Sequence, residues 1–128
     1  MDIHRVEALV LRYRAVEFGV TGGGNLYWEI EGEGSYLSII AGDAGAYTLN
    51  FTLPATTRSG VILRIDFYQD QSPSGGATIT WPSGMKFQTA GDALPNPNYK
   101  FLTAWEGIVW SVNENIVLMT KLGEWDLT

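Results

Sequence analysis

The chain contains no cysteine. Disulfide frameworks, thiol nucleophiles and thiolate metal sites are therefore excluded together, and folding needs no oxidising compartment. Imidazole is nearly as scarce: the one histidine, His4, has no second histidine to act with as a general base or metal ligand. Positive charge is short too. Eight Lys and Arg stand against fourteen Asp and Glu, a net charge of -6 that opposes phosphate backbones and anionic bilayers. Neither nucleic acid nor a membrane is expected as a partner. No stretch approaches the ~18 uninterrupted apolar residues of a spanning helix, and Met1-Asp2-Ile3-His4-Arg5 lacks a signal-peptide pattern. A soluble product of the cytoplasm is expected.

Turn formers and aromatics are plentiful. Fifteen glycines, five prolines, six tyrosines and five tryptophans, with little helical periodicity, point to an all-β chain joined by tight turns. The 128 residues show no break in composition and suffice for one β domain, residues 1–128, with its own core.

Alternation places the strands. Residues 6–18 carry both periods: Val6, Leu9, Val10, Tyr13 and Val16 share a helical face, whereas on a strand Leu9, Leu11 and Tyr13 oppose Val10, Arg12 and Arg14. The strand is preferred because its neighbours are strands, which makes residues 1–20 a first strand or an amino-terminal arm. Leu26, Trp28 and Ile30 alternate with Tyr27, Glu29 and Glu31. The Gly22-Gly23-Gly24 run before them lacks phosphate-loop spacing and predicts a hairpin with the first strand. Leu49, Phe51 and Leu53 face one way before Pro54. Val61, Leu63, Ile65 and Phe67 form the cleanest inward row, which predicts a central strand. A second hairpin is predicted about Glu106-Gly107, between residues 99–105 and 108–112, then a last strand over 116–119 and a short docking tail over 121–128. The sum is an antiparallel β-sandwich or jelly-roll-like fold of about eight strands.

Residues 76–87 organise the rest. Ala77, Ile79 and Trp81 share one face and Thr78 and Thr80 the other; Pro82 must close this strand at its end or at a sheet edge, and Gly84 permits the turn. Residues 77–87 resemble a "TITWPSGVKW"-like signature of structural proteins of tailed bacteriophages, especially fibre and tail-appendage domains. The likeness extends over residues 36–119, through the apolar strands at 49–54 and 60–70 and the segment 99–110. Phe87 stands where a tryptophan is frequent, and Glu106-Gly107 where two glycines are usual.

The resemblance implies a virion structural protein that works by assembly and not by catalysis. Within that class the expectation is a capsid decoration or cement protein that forms a trimer on the particle and contacts a major capsid or tail protein, because no coiled-coil, collagen-like or long β-helical shaft is legible. A small tail-fibre or receptor-binding, carbohydrate-binding module is the alternative. Candidate interface residues are Val6, Leu9, Leu11, Tyr13, Trp125 and Leu127, and the loop residues Asp92, Pro95, Asn96 and Asn98 are candidates for an outward contact. Tyr27, Tyr68 and Trp105 are candidate glycan platforms, while Trp28, Trp81 and Trp110 are assigned inward. The acid pairs Glu29 with Glu31 and Asp66 with Asp70 have strand-face spacing that a glycosidase would accept, but on an outer sheet face they read as solvated charge. Asp43 alone cannot supply the six or so oxygens of a calcium site. No catalytic residue, metal or cofactor is assigned.

Overall fold

Successive strands alternate between two facing sheets. In this computed structural model, which describes residues 14–30, 34–70 and 76–128, β1 (Arg14–Val20), β3 (Ser35–Ala41) and β5 (Ile62–Gln69) lie side by side in one sheet. The strands between them, β2 (Gly24–Glu29), β4 (Ala46–Thr52) and β6 (Thr78–Thr80), form the other. All neighbours among these six are parallel: Arg14 pairs with Ser35 and Ser35 with Leu63, Gly24 with Tyr47 and Ala46 with Thr78. The chain thus winds through three stacked coils, each built from one strand of either sheet. After them β7 (Met85–Phe87), a one-turn 3-10 helix (Ala90–Ala93), β8 (Phe101–Ser111) and β9 (Ile116–Asp126) complete the larger sheet, in the order β1-β3-β5-β8-β9-β7. There β5–β8 and β8–β9 are antiparallel and β7–β9 is parallel.

The all-β class with two sheets holds, but the strand directions are mixed and not uniformly antiparallel. A parallel pair cannot be closed by a tight turn and needs a crossover of about a dozen residues. Here each crossover passes through the opposite sheet. The hairpin expected between the first two strands is therefore absent: Gly22 and Gly23, with φ of 83° and 72°, turn the chain out of one sheet and into the other. Asp43, in the equivalent corner of the next coil, ties the two corners together. Its carboxylate accepts the Gly22 N–H, the Gly45 N–H at 3.0 Å and the Tyr47 hydroxyl at 2.6 Å.

Inward side chains stack from coil to coil. The parallel register aligns Val16 with Leu37 and Ile65, Phe18 with Ile39 and Phe67, and Trp28 with Phe51, and these rows fill the space between the sheets. Leu63, Ile65 and Phe67 are fully buried and together contribute on the order of 6 kcal/mol before conformational entropy is charged. Gln69 continues the same inward row. Buried completely, it donates from Nε2 to the Ala77 carbonyl at 2.9 Å and the Asn96 carbonyl at 3.1 Å, and accepts the Ala77 N–H at 3.0 Å. That one amide fixes the start of β6 and the loop before β8 against the central strand. Alternation could not single it out, because a core glutamine is betrayed only by its partners.

Two further expectations are corrected. There is no turn at Glu106-Gly107: β8 runs straight through it, and Gly107 faces inward beneath Val117 and Met119, where a Cβ would come within 2.9 Å and 2.8 Å of their side chains. The reversal lies at residues 112–115, with Asn115 in the left-handed region at φ 58°. Residues 121–126 belong to β9, paired with Leu102, Thr103 and their neighbours in β8, so the last strand runs beyond residue 119 and takes in most of the segment expected as a short docking tail. The corner is as expected: β6 ends at Thr80 on the edge of the smaller sheet, and Met85 N–H closes the turn on the Pro82 carbonyl at 3.0 Å.

Candidate interaction surfaces

The outer faces of the two sheets differ in character. On the larger sheet the register sets Ile62, Ile108 and Leu118 side by side across β5, β8 and β9, and Trp110, two residues further along β8, sits at a bulge in the pairing with β9 with its side chain exposed. All four are exposed, Trp110 at 65%. Their strand neighbours Leu63, Val109, Val117 and Met119 are buried in the core. The middle strands are thus apolar on both faces here, the composition of strands covered on both sides. At the other end of the same face Tyr68 pairs with Ile40 and Leu102, and Leu102 with Trp125, which is 45% exposed.

A polar band separates these two groups. Asp66, buried on the outer side of β5, accepts the Tyr36 hydroxyl and, at 2.8 Å, Arg64 Nε. Burial, and then this bond to Asp66, push the Tyr36 phenol up to about 12; burial and the bond to Asp43 do the same for Tyr47. A raised phenol pKa means that folding favours the protonated ring. Its stabilisation is complete below the ordinary value of 10.0 and is lost as the pH rises towards about 12. Ultraviolet titration of phenolate should show two tyrosines ionising near 12, and Tyr36→Phe and Tyr47→Phe should each delete one of them. Asp43 has the opposite sign: the Tyr47 hydroxyl and the Gly22 N–H hold its carboxyl below the usual range, a contribution present at neutral pH and lost on acidification.

The smaller sheet turns a polar face outward. Asn25, Tyr27 and Glu29 of β2 lie beside Thr48, Asn50 and Thr52 of β4, with Thr78 and Thr80 of β6 beyond Ala46 and Thr48. Among the described residues Tyr27 is the single large apolar side chain on this plateau, and it is 72% exposed. It borders an open groove of ≈ 320 Å³ lined by Tyr27, Trp28, Glu29, Asn50, Phe51 and Thr52.

The remaining candidates fall as follows. Val6, Leu9, Leu11 and Tyr13 lie outside the described residues, as do His4 and Glu31. Trp125 and Leu127 are exposed at the end of β9, where Leu127 N–H bonds the Lys100 carbonyl at 2.9 Å. The loop from Asp92 to Asn98 is anchored: the Asp92 carbonyl accepts the Trp105 indole at 2.6 Å, Asn96 N–H bonds Thr103 Oγ1 at 2.9 Å, and Asn96 Nδ2 bonds Glu124 at 3.0 Å. Pro95 is half-buried and Asn98 exposed. Trp105 is not an exposed platform but wholly buried, and Trp110, assigned inward, points out. Both inversions follow from the missing turn, because an uninterrupted strand keeps Thr103, Trp105, Gly107 and Val109 on the inner face. Tyr68 is half-buried between Ile40 and Leu102. Asp66 is committed to Tyr36 and Arg64, and among the described residues no three His, Cys, Asp or Glu side chains are grouped to hold a metal ion. The signal that sequence reasoning passed over was the two-sided apolar pattern of Ile108, Val109 and Trp110.

Comparison with known proteins gives no support to any particular relative: no family model, no curated protein and no solved structure matches this chain.

Proposed function

We propose that this chain is a structural module of a tailed-phage particle, acting through assembly with copies of itself and with a neighbouring virion protein. The observation that carries the reading is the exposed Ile62, Ile108, Trp110 and Leu118 cluster on the larger sheet. Contiguous apolar surface of this kind marks a protein contact more often than open water. The charge beside the cluster is balanced within each molecule. Glu106 lies two residues before Ile108 on the same face of β8 and stands across from Arg64, which also pairs with Asp66, so a second copy would meet acids that already have a cation beside them.

Within this class the tail-appendage reading is preferred to capsid decoration. The sequence shows no shaft-like element, which speaks for decoration, but the three stacked parallel coils are a short repetitive stack of the kind an appendage shaft uses and support the tail reading. The resemblance of residues 77–87 to a signature of tail-appendage domains supports the same reading. Three copies around an axis, each turning its larger sheet inward, would cover the apolar cluster and leave the polar sheet outside.

The test is mass in solution by light scattering or sedimentation. The wild-type chain is expected to be a trimer, and Ile108→Ser with Trp110→Ser to be a folded monomer of unchanged circular dichroism. A wild-type monomer, or a double variant of unchanged mass, removes the cluster from the account.

A further inference from the structure

We infer that the outer face of the smaller sheet carries a binding site for a neutral saccharide, centred on Tyr27. The site lies on the sheet opposite the assembly surface and does not depend on that surface.

Parallel pairing sets Tyr27 beside Asn50 and Glu29 beside Thr52. Adjacent strands lie about 4.8 Å apart and alternate residues about 6.6 Å apart along a strand, so these four side chains stand at the corners of a small quadrilateral. Its floor is the stretch of β2 and β4 at Trp28 and Phe51, and the open groove measures ≈ 320 Å³, at the small end of the range for ligand sites. The Tyr27 ring is a flat apolar wall standing free among polar neighbours. Such a wall suits the C–H face of a sugar ring, which presents apolar area with hydroxyls around its rim.

The polar corners decide the chemistry. Asn50 commits its Nδ2 within the sheet, to Asn25 Oδ1 at 3.3 Å, the Leu26 carbonyl at 3.4 Å and the Thr48 carbonyl at 3.5 Å, so its Oδ1 is the atom with capacity left, as an acceptor. Glu29 adds a carboxylate, an acceptor with two oxygens, and Thr52 a hydroxyl that serves either way. The site is rich in acceptors and poor in donors. A ligand must therefore bring O–H groups, and an anionic one is repelled by Glu29 and by the net charge of -6. Uronic acids, sialic acids and phosphosugars are excluded on that ground, and neutral hexose units fit. With one aromatic wall and an open rim, the dissociation constant should be ~1 mM.

The experiment is an NMR titration of the whole chain with maltotriose, cellotriose and chitotriose as neutral probes and trigalacturonate as the acidic one. At least one neutral probe should shift the amides of Tyr27, Asn50 and Thr52 and saturate near ~1 mM, while trigalacturonate should not. Tyr27→Ala, at an exposed position, should weaken binding about tenfold. Glu29→Gln should weaken the neutral probe by a smaller factor and relieve the exclusion of trigalacturonate. No response to any neutral probe, unchanged binding by Tyr27→Ala, or a preference of the wild-type chain for trigalacturonate overturns the assignment. Shifts at β2 that follow protein concentration and not sugar would overturn it as well, and would make this face a contact between copies.

Discussion

Trp105→Ala is expected to destabilise the fold by about 4 kcal/mol, a large share of the stability of a chain this size. The indole is fully buried and lies 4.9 Å from Trp81, edge to face. Trp81 in turn packs at 5.1 Å against Phe87. Both indoles also hold the loop: Trp105 donates to the Asp92 carbonyl at 2.6 Å and Trp81 to the Ala93 carbonyl at 2.7 Å. Truncation therefore removes a large apolar volume and leaves the Asp92 carbonyl without its donor. Trp105→Phe keeps most of the volume and should cost about 1–2 kcal/mol, chiefly the lost hydrogen bond. Denaturant midpoints measure both. An alanine variant as stable as wild type would mean that the indole pair does not close this end of the core.

Gly84→Ala should cost about 3 kcal/mol through overpacking alone. A Cβ at this position would collide with the Asn115 carbonyl oxygen, a backbone atom that cannot swing aside like a side chain. The Gly84 carbonyl also accepts the Val117 N–H at 2.9 Å, so separating the two segments breaks a hydrogen bond as well as relieving the clash. On its other side the same Cβ would touch the Phe51 ring at 3.4 Å. The corner after Pro82 is thus wedged between the β8–β9 turn and the smaller sheet. Ser83→Ala is the control: Ser83 is exposed, and the change should stay within about 0.5 kcal/mol. Equal midpoints for the two variants would show that the corner floats free of the hairpin.

Both residues are plain in the sequence, but what each does depends on segments far from it in the chain. Gly84 reads in the sequence as the permissive residue of a turn; it does sit in the Pro82–Met85 turn, but without a positive φ, and what requires a glycine is its tight contact with Asn115, far away in the chain. Trp105 reads as a surface aromatic because Glu106-Gly107 looks like a hairpin turn. Glycine in a strand can mark either a turn or a close approach, and here Val117 and Met119 press on it from the neighbouring strand. Moving the turn to residues 112–115 changes which face each aromatic of β8 occupies, and with it the apparent function of Trp105 and Trp110. Asp43 is a similar case. It suggested a cation to be weighed, and the fold spends its oxygens on Gly22, Gly45 and Tyr47.

What the sequence determined by itself was the set of pleated segments and, for most of them, which side faces in: Leu26, Trp28 and Ile30, Leu49 and Phe51, Leu63, Ile65 and Phe67, Ala77 and Ile79 are all buried as their alternation requires. Side-chain direction along a strand repeats every two residues whatever lies beside it, so this much is local. Only the tertiary structure decided which strands pair, in which direction, and what the outer faces are. Pairing depends on backbone groups common to every residue, and an outward side chain acquires its meaning from the neighbouring strands: Ile62, Ile108 and Leu118 form one surface only because β5, β8 and β9 lie together in that order.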